Sequence, residues 1–309
     1  MNKVMVIAGP TASGKTDLAV ELALKIDGEI ISADSMQIYR GMNIGTAKPT
    51  IEERRGVPHH LIDIVNPDEE YSVAQFKEDA LICINDIVKR GKTPIVAGGT
   101  GLYINSLIYN ITFSETVSDW EYREKLNNLA EEQGPQVLYK YLKEVDPKSA
   151  ESIHPNNIKR VIRALEVYKT TGIPISEHRE TSRNNPPLYK FLVYGLHVER
   201  KELYRRIDQR VDTMMGKGLY DEVEELLSCG YSSDLVSLQG IGYKEIIAAI
   251  EGKCTLGEAA DRIKTNTRRL AKRQMTWFKK TEGLVWIEYS DANTWAILKL
   301  LADALNNES

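Results

Sequence analysis

The sequence predicts an α/β fold: a parallel sheet covered by helices and interrupted by an all-helical insertion. Three observations carry this reading. The first 110 residues alternate short apolar runs with helical patterns, and such alternation gives parallel strands joined by crossover helices. Residues 9–16, Gly-Pro-Thr-Ala-Ser-Gly-Lys-Thr, form a complete G-x-x-x-x-G-K-[ST] phosphate loop directly after the apolar run Val4–Ala8. From Ser114 to Pro187 strand signals vanish and charged helical patterns replace them, before strand character resumes at Leu192–Val198.

Taken in order, Lys3–Ala8 reads as a short buried strand and Thr16–Ile26 as the helix after the phosphate loop. The positive dipole end of that helix points at the anion the loop would hold. Glu29–Ala33 is a second strand. Tyr71–Lys89 carries Phe76, Ala80, Ile84 and Ile87 near one helical face. Thr93–Ala97 is a third strand, closed by Gly98-Gly99-Thr100-Gly101. In the insertion, Asp119–Gln133, Gly134–Lys143 and Asn156–Tyr168 are helices. Pro155 precedes the last of them and Thr171-Gly172-Ile173-Pro174 stops it. Asn184-Asn185-Pro186-Pro187 reads as a return linker. Glu202–Ser228 and Tyr243–Lys280 are helical, and Val285–Tyr289 is the last strand. The expected organisation is a P-loop NTPase-like core over 1–113, a helical insertion domain over 114–190, and a return to the core with a basic C-terminal helical region over 191–309.

The 309 residues, 42% hydrophobic and 27% charged, suit an ordinary globular protein. No apolar run approaches the ~18 residues a membrane span requires. The opening MNKVMVIAG leads into the first strand, so no signal peptide is expected. Cys83, Cys229 and Cys254 are isolated and odd in number. They point to a reducing cytoplasm, not to a disulfide frame or a zinc site. His59-His60 reads as a structural pair and not a metal site. The net charge of −4 hides an asymmetry, because residues 262–280 hold eight Lys/Arg and no acid. An acidic chain that concentrates positive charge in one segment points to an anionic partner there.

In a parallel sheet, ligands lie beyond the carboxyl ends of the strands. Three segments reach that edge: the phosphate loop, Asp34-Ser35-Met36-Gln37 and Gly98–Gly101. In the loop, Gly9, Pro10, Thr11, Ala12, Ser13 and Gly14 turn backbone N–H groups around a diphosphate. Lys15 adds a point charge, and Thr16 offers its hydroxyl to Mg²⁺. Asp34 suits Mg²⁺ through water or a proton taken from a nucleophile, and its position at the ligand edge favours such a role over a helix cap or turn. Gln37 has the paired donor and acceptor that fit an adenine edge. Gly98–Gly101 brings backbone and the Thr100 hydroxyl close to a ligand, or forms a tight structural turn.

A hydrolysing ATPase would show a strand ending in a Mg²⁺-binding Asp. The third strand ends without one, and the Asp of Leu61-Ile62-Asp63-Ile64 lies mid-run. That argues against an ATPase cycle and permits a small phosphoryl or diphosphate transferase. Among the cations, Arg268/Lys272 and Arg269/Arg273 are i,i+4 pairs, interleaved with Met275, Trp277 and Phe278. They suit contact with a nucleic-acid backbone, the alternative being a solvated helix face. Lys159, Arg160 and Arg163 form a second basic group, while Val161, Leu165 and Tyr168 are expected in the insertion core.

Together these motifs resemble the tRNA dimethylallyltransferases, also called isopentenyl-pyrophosphate tRNA transferases. The segments are GPTASGKT (9–16), DSMQIYRGMNIGTAKP (34–49), HHLIDI (59–64), GGTGLYI (98–104), HPNNIKRVIRALEVY (154–168), QGIGYKE (239–245) and RRLAKRQMTWF (268–278). The resemblance implies transfer of a dimethylallyl group from dimethylallyl diphosphate to the exocyclic amine of the adenosine just 3′ of a tRNA anticodon. Residues 9–16 would then hold the diphosphate leaving group, where the motif alone reads as ATP-binding. Lys15, Thr16 and Mg²⁺ would neutralise that leaving group. Asp34 would accept the amine proton, Thr100 would line the channel where the substrates meet, and Ser35, Met36 and Gln37 would place the adenine. The resemblance further implies RNA contacts by Arg123, Lys159, Arg160 and Arg163 from the insertion, and by Arg268, Arg269, Lys272 and Arg273 from the C-terminal side. The expected partners are the tRNA anticodon stem-loop and dimethylallyl diphosphate, with no membrane; a cytoplasmic monomer is the default expectation.

Two other readings use parts of the same sequence. A P-loop small-molecule or nucleotide kinase shares the phosphate loop and the acid after the second strand, but gives no reason for the cationic C-terminal helix. A non-catalytic RNA-binding module would keep the basic patches and leave Lys15-Thr16 with Asp34 unexplained.

Overall fold

Strand β1 (Lys3–Ala8) lies inside a six-stranded sheet whose strands are all parallel. The structure, a computed structural model, describes residues 2–113, 119–183 and 186–306. In chain order the core continues with α1 (Lys15–Ile26), β2 (Gly28–Ser32), the single turn α2 (Ile51–Arg54), β3 (His59–His60), α3 (Val73–Lys89), β4 (Thr93–Gly98) and α4 (Gly101–Ile108). The insertion contributes α5 (Trp120–Gln133), α6 (Pro135–Val145), α7 (Pro147–Ser152), α8 (Ile158–Thr171) and α9 (Ile175–Arg183). The core then resumes with β5 (Lys190–His197), α10 (Arg200–Gly216), α11 (Leu219–Ser228), α12 (Tyr243–Ile250), α13 (Leu256–Phe278), β6 (Val285–Glu288) and α14 (Thr294–Asn306).

The strand order is β3-β2-β4-β1-β5-β6. The chain leaves β1 to build one side of the sheet and returns to build the other. The loops after β1, β2 and β4 therefore share the carboxyl edge at a topological switch point, where such sheets bind ligands. Met5 and Ile7 of β1 enter a core with Leu18 and Leu22 of α1, Leu196 of β5, Ile207 of α10 and Leu301 of α14. Burying each such side chain contributes about 1.5–3 kcal/mol. A second cluster joins Ile38 and Met42, after β2, to Val223, Tyr243, Ile246 and Ile263 of α11, α12 and α13. It anchors the segment after β2 on the C-terminal helices.

Local chemistry sets the element ends. The Ser72 hydroxyl accepts the Gln75 N–H and the Gln75 side chain accepts the Ser72 N–H, so α3 starts two residues after Tyr71. Its buried face is Phe76, Ala80, Ile84 and Ile87, the expected set. The expected helix Glu202–Ser228 is two helices, because Gly218 takes a left-handed φ of 92° between α10 and α11. The expected helix Tyr243–Lys280 is also two: α12 stops at Ile250, and a Thr255–Glu258 capping box starts α13. Strand β3 pairs only two residues, with Ile30 and Ile31, at the sheet edge. Asp63 is thus three residues past a strand end, not mid-run as the sequence suggested. Its carboxylate is held by the buried Lys48 ammonium.

The chain divides into two compact units, Met1–Ile108 with Tyr189–Ser309, and Tyr109–Leu188. Ser114, Asn184 and Asn185, which the sequence reading placed at the insertion's edges, lie outside the described residues. The insertion has its own core, in which Leu126, Leu138, Leu142, Val161 and Leu165 are buried. Tyr168, expected in that core, is exposed instead. Among the described residues no helix is long and apolar enough to cross a membrane.

Candidate active site

The phosphate loop turns tightly between β1 and α1. Ala12 and Gly14 take positive φ angles of 62° and 85°, and the Ser13 N–H donates to the Pro10 carbonyl at 3.3 Å. A side chain at Gly14 would be strained by that φ and would also meet the Tyr289 ring. Lys15 donates to the Pro10 carbonyl at 3.2 Å. Burial pushes its ammonium down to about 8, against the pull of Asp34, and Arg210 adds to the push.

A cavity of about 500 Å³ opens beside the loop. Ala12, Lys15 and Thr16 line it together with Asn43, Ile44, Lys48 and Pro49 from the segment after β2 and Arg206, Arg210 and Met214 from α10. The Arg210 guanidinium reaches the Thr11 hydroxyl at 3.5 Å. Burial lowers its pKa, while Asp17, Asp34 and Glu53 pull it back up. Lys15, Lys48, Arg206, Arg210 and Lys217 outnumber Asp17 and Glu53 in this lining, an excess of positive charge that suits a multiply charged anion. Arg210 was missed by the sequence reading. Arg206, Arg210 and Met214 recur every fourth residue, a helical face that was legible but indistinguishable from ordinary surface charge.

At the carboxyl edge the structure also brings Asp34, Ser35 and Thr100 together. The Ser35 N–H donates to Thr100 Oγ1 at 3.0 Å, and the Thr100 hydroxyl donates to Ser35 Oγ at 3.3 Å. The Thr100 N–H donates to the Ala33 carbonyl at 3.1 Å. Asp34 Oδ1 accepts the Met36 N–H at 2.9 Å, which fixes the carboxylate at the mouth of the turn. Gln274 of α13, also missed, ties this group to the phosphate loop. Its Oε1 accepts the Thr11 N–H at 2.9 Å, and its Nε2 donates to the Gly99 carbonyl at 3.0 Å. The Trp277 ring, one turn on, packs over Gly101. The basic helix α13 thereby reaches both ligand loops.

Several expected contacts take other partners. Gln37 turns its amide inward: Oε1 accepts the Ser32 hydroxyl at 3.1 Å, and Nε2 donates to the carbonyls of Thr46 and Ala47. Its amide thereby braces its own loop. Arg268 pairs with Asp208 of α10, and Lys264 pairs with Asp212; the acids missing from residues 262–280 come from another helix. In the insertion, Arg123 donates to both Glu166 oxygens at 2.7 and 2.9 Å, and Arg163 donates to Oε2 at 2.6 Å. Burial would raise the Glu166 carboxyl, but the two guanidiniums and the Asp119 N–H hold it below the usual carboxylate range. Arg123 and Arg163 thus clamp a buried acid, a role the sequence did not reveal. Lys159, Arg160, Arg269, Lys272 and Arg273 are exposed. His60 pairs with Glu29 at 2.8 Å, and the His59 ring meets the Val57 carbonyl at 2.9 Å; both are structural.

Residues 37–281 match the family model described as IPP transferase. The tRNA dimethylallyltransferase of Acetivibrio thermocellus is 58% identical over 287 residues, covering 93% of this chain and 92% of its own. That of Alkaliphilus oremlandii is 53% identical over 289 residues, covering 94% and 92%. Among solved structures, the tRNA isopentenylpyrophosphate transferase of Bacillus halodurans superposes with a TM-score of 0.74 at 44% identity, covering 99% of this chain and 97% of its own. A eukaryotic dimethylallyltransferase acting on tRNA gives a TM-score of 0.84 at 32% identity, covering 100% and 81%.

Proposed function

The chain belongs to the IPP transferase family, and from that premise we infer that it is a tRNA dimethylallyltransferase whose two substrates meet at the carboxyl edge of the sheet. One observation carries the placement. Lys15 of the phosphate loop lines a cavity with Arg210, Ser35 beside Asp34 bonds Thr100, and Gln274 bonds both Thr11 of the phosphate loop and Gly99.

The donor is dimethylallyl diphosphate, seated with its diphosphate on the loop amides, Lys15 and Arg210. The acceptor is the exocyclic amine of the adenosine just 3′ of the anticodon, which must leave its stack to enter. The amine nitrogen attacks the allylic carbon. The carbon–oxygen bond breaks, and diphosphate departs with the electron pair. Lys15 and Arg210 meet the charge that grows on the leaving group. Asp34 takes the proton released by the amine, and the Ser35–Thr100 bond holds the two loops in register. Alignment of a weak nucleophile with the allylic carbon supplies much of the acceleration. The donor set also fits Mg²⁺. Thr16 offers a hydroxyl at the cavity, and no group of three or more His, Cys, Asp or Glu among the described residues could cage a metal by itself. Mg²⁺ commonly completes such a set with substrate oxygens and water, and when bound would add electrostatic neutralisation of the diphosphate. No second reading is favoured: Arg269, Lys272 and Arg273, exposed on the helix that supplies Gln274, fit an RNA acceptor better than a kinase's small one.

The direct test mixes the protein with Mg²⁺, dimethylallyl diphosphate and an anticodon stem-loop, followed by mass spectrometry of the nucleosides. The expected result is a dimethylallyl adduct on adenosine. No adduct, with ATP consumed in a parallel reaction, would return the loop to a triphosphate and make a kinase the reading to pursue.

Two further results are expected. Replacing Arg269 and Arg273 together by Ala flattens the dependence of log affinity for the stem-loop on log salt by about 1.5, two phosphate contacts' worth; an unchanged slope would return them to a solvated face. The second concerns pH. The donor favours protonated Lys15, and the free protein loses that proton above about 8. Affinity for a non-transferable thiolo analogue of the donor is therefore full below that pH and falls by about tenfold per unit above it. Calorimetric titration at pH 7, 8 and 9 checks this, and a flat profile would contradict it.

A further inference from the structure

Glu222, in the first turn of α11, sends its carboxylate to the Asn43–Gly45 segment. Oε2 accepts the N–H groups of Asn43 at 2.9 Å and Ile44 at 2.7 Å. Oε1 accepts the N–H of Gly45 at 3.1 Å and the Tyr243 hydroxyl at 2.7 Å. Three consecutive backbone amides converging on one anion form a nest, and here the anion is the protein's own side chain. Glu222 is 9% exposed, so these charge-assisted bonds are well shielded from water. Tyr243 opens α12 and is fully buried. Its ring presses on Gly45, where any side chain would collide with it. Burial and the Glu222 charge keep the phenol far above its usual pKa, so it stays a donor.

The same segment forms a wall of the donor cavity. Asn43, Ile44, Ala47 and Lys48 line it together with Lys15 and Arg210. The segment is otherwise braced from within: Thr46 donates to the Met42 carbonyl at 2.6 Å, and Lys48 donates to the Tyr39 carbonyl at 2.8 Å. Glu222 is thus a charged tether that fixes this wall to the helices beneath it. We propose that Glu222, with Tyr243, is a positioning residue of the donor site: it touches no substrate and sets the place of the Asn43–Lys48 wall against the phosphate loop. The proposal rests on the transferase reading above.

Glu222→Gln keeps the shape but turns an amide N–H toward the nest, so at least one donor loses its acceptor. Tyr243→Phe keeps the ring and removes one bond. Initial rates of transfer to the stem-loop are measured against dimethylallyl diphosphate at saturating RNA, together with RNA affinity. The expected result is a donor KM raised by about tenfold in Glu222→Gln and about threefold in Tyr243→Phe, with kcat and RNA affinity within about twofold of the parent. A merely structural residue would lower active protein, donor binding and RNA binding together. An unchanged donor KM in both variants, or a fall confined to kcat, overturns the proposal. If Glu222→Gln does not fold, Tyr243→Phe alone decides, and a parental KM there overturns it. Parent protein that makes no adduct would instead overturn the transferase reading.

Discussion

Asp34→Asn lowers kcat for dimethylallyl transfer by about 10³-fold and leaves affinity for the stem-loop within about threefold. Asparagine keeps the oxygen that accepts the Met36 N–H at 2.9 Å, so the turn survives. It removes the charge and the basicity, so the amine has nowhere to send its proton as the new bond forms. The Ser35–Thr100 contact does not involve the Asp34 side chain and should persist. The variant therefore separates chemistry from positioning. Single-turnover transfer measured beside stem-loop binding checks it, and near-parental turnover would remove Asp34 as the base.

Arg210→Gln raises the donor KM by about 100-fold, the effect of removing one charge-assisted partner from a mostly desolvated diphosphate site. A second signature follows from the neighbourhood. Arg210 is one of the groups that hold Lys15 down near 8. Without it Lys15 keeps its proton to higher pH, so the alkaline limb of analogue binding moves upward even as affinity falls. A lost guanidinium that acted only on stability would lower the amount of folded protein and leave that limb in place. Titration of the thiolo analogue across pH 7–10 in both proteins distinguishes the two.

What the sequence revealed followed from contiguity. The phosphate loop, Asp34-Ser35 and Gly98–Gly101 each occupy a few residues at a strand end, and a parallel sheet brings strand ends together whatever the helices do. Arg210, Gln274 and Glu222 stand on long helices more than a hundred residues away from the loops they serve. Their spacing is that of any polar residue on a helix, and only tertiary packing selects them. The acid partners of the basic segments escaped for the converse reason. Arg268 and Lys264 find their acids on α10. Arg123 finds Glu166 buried on another helix of the insertion, and Arg163 finds it three residues along its own. A count of charges along one segment misses such partners. Strand β3 escaped because two residues carry no alternation. The two overlong helices arose because helical patterns continue on both sides of Gly218 and Gly252, each with positive φ.

The most direct measurement is a comparison of ligands at the phosphate loop. Calorimetric titration with Mg²⁺ would compare the thiolo analogue of dimethylallyl diphosphate with a non-hydrolysable ATP analogue, in the parent and in Arg210→Gln. The expected result is prenyl-analogue binding at least about 100-fold tighter than the nucleotide, weakened in the variant. Tighter binding of the nucleotide would contradict a loop that holds a prenyl diphosphate leaving group.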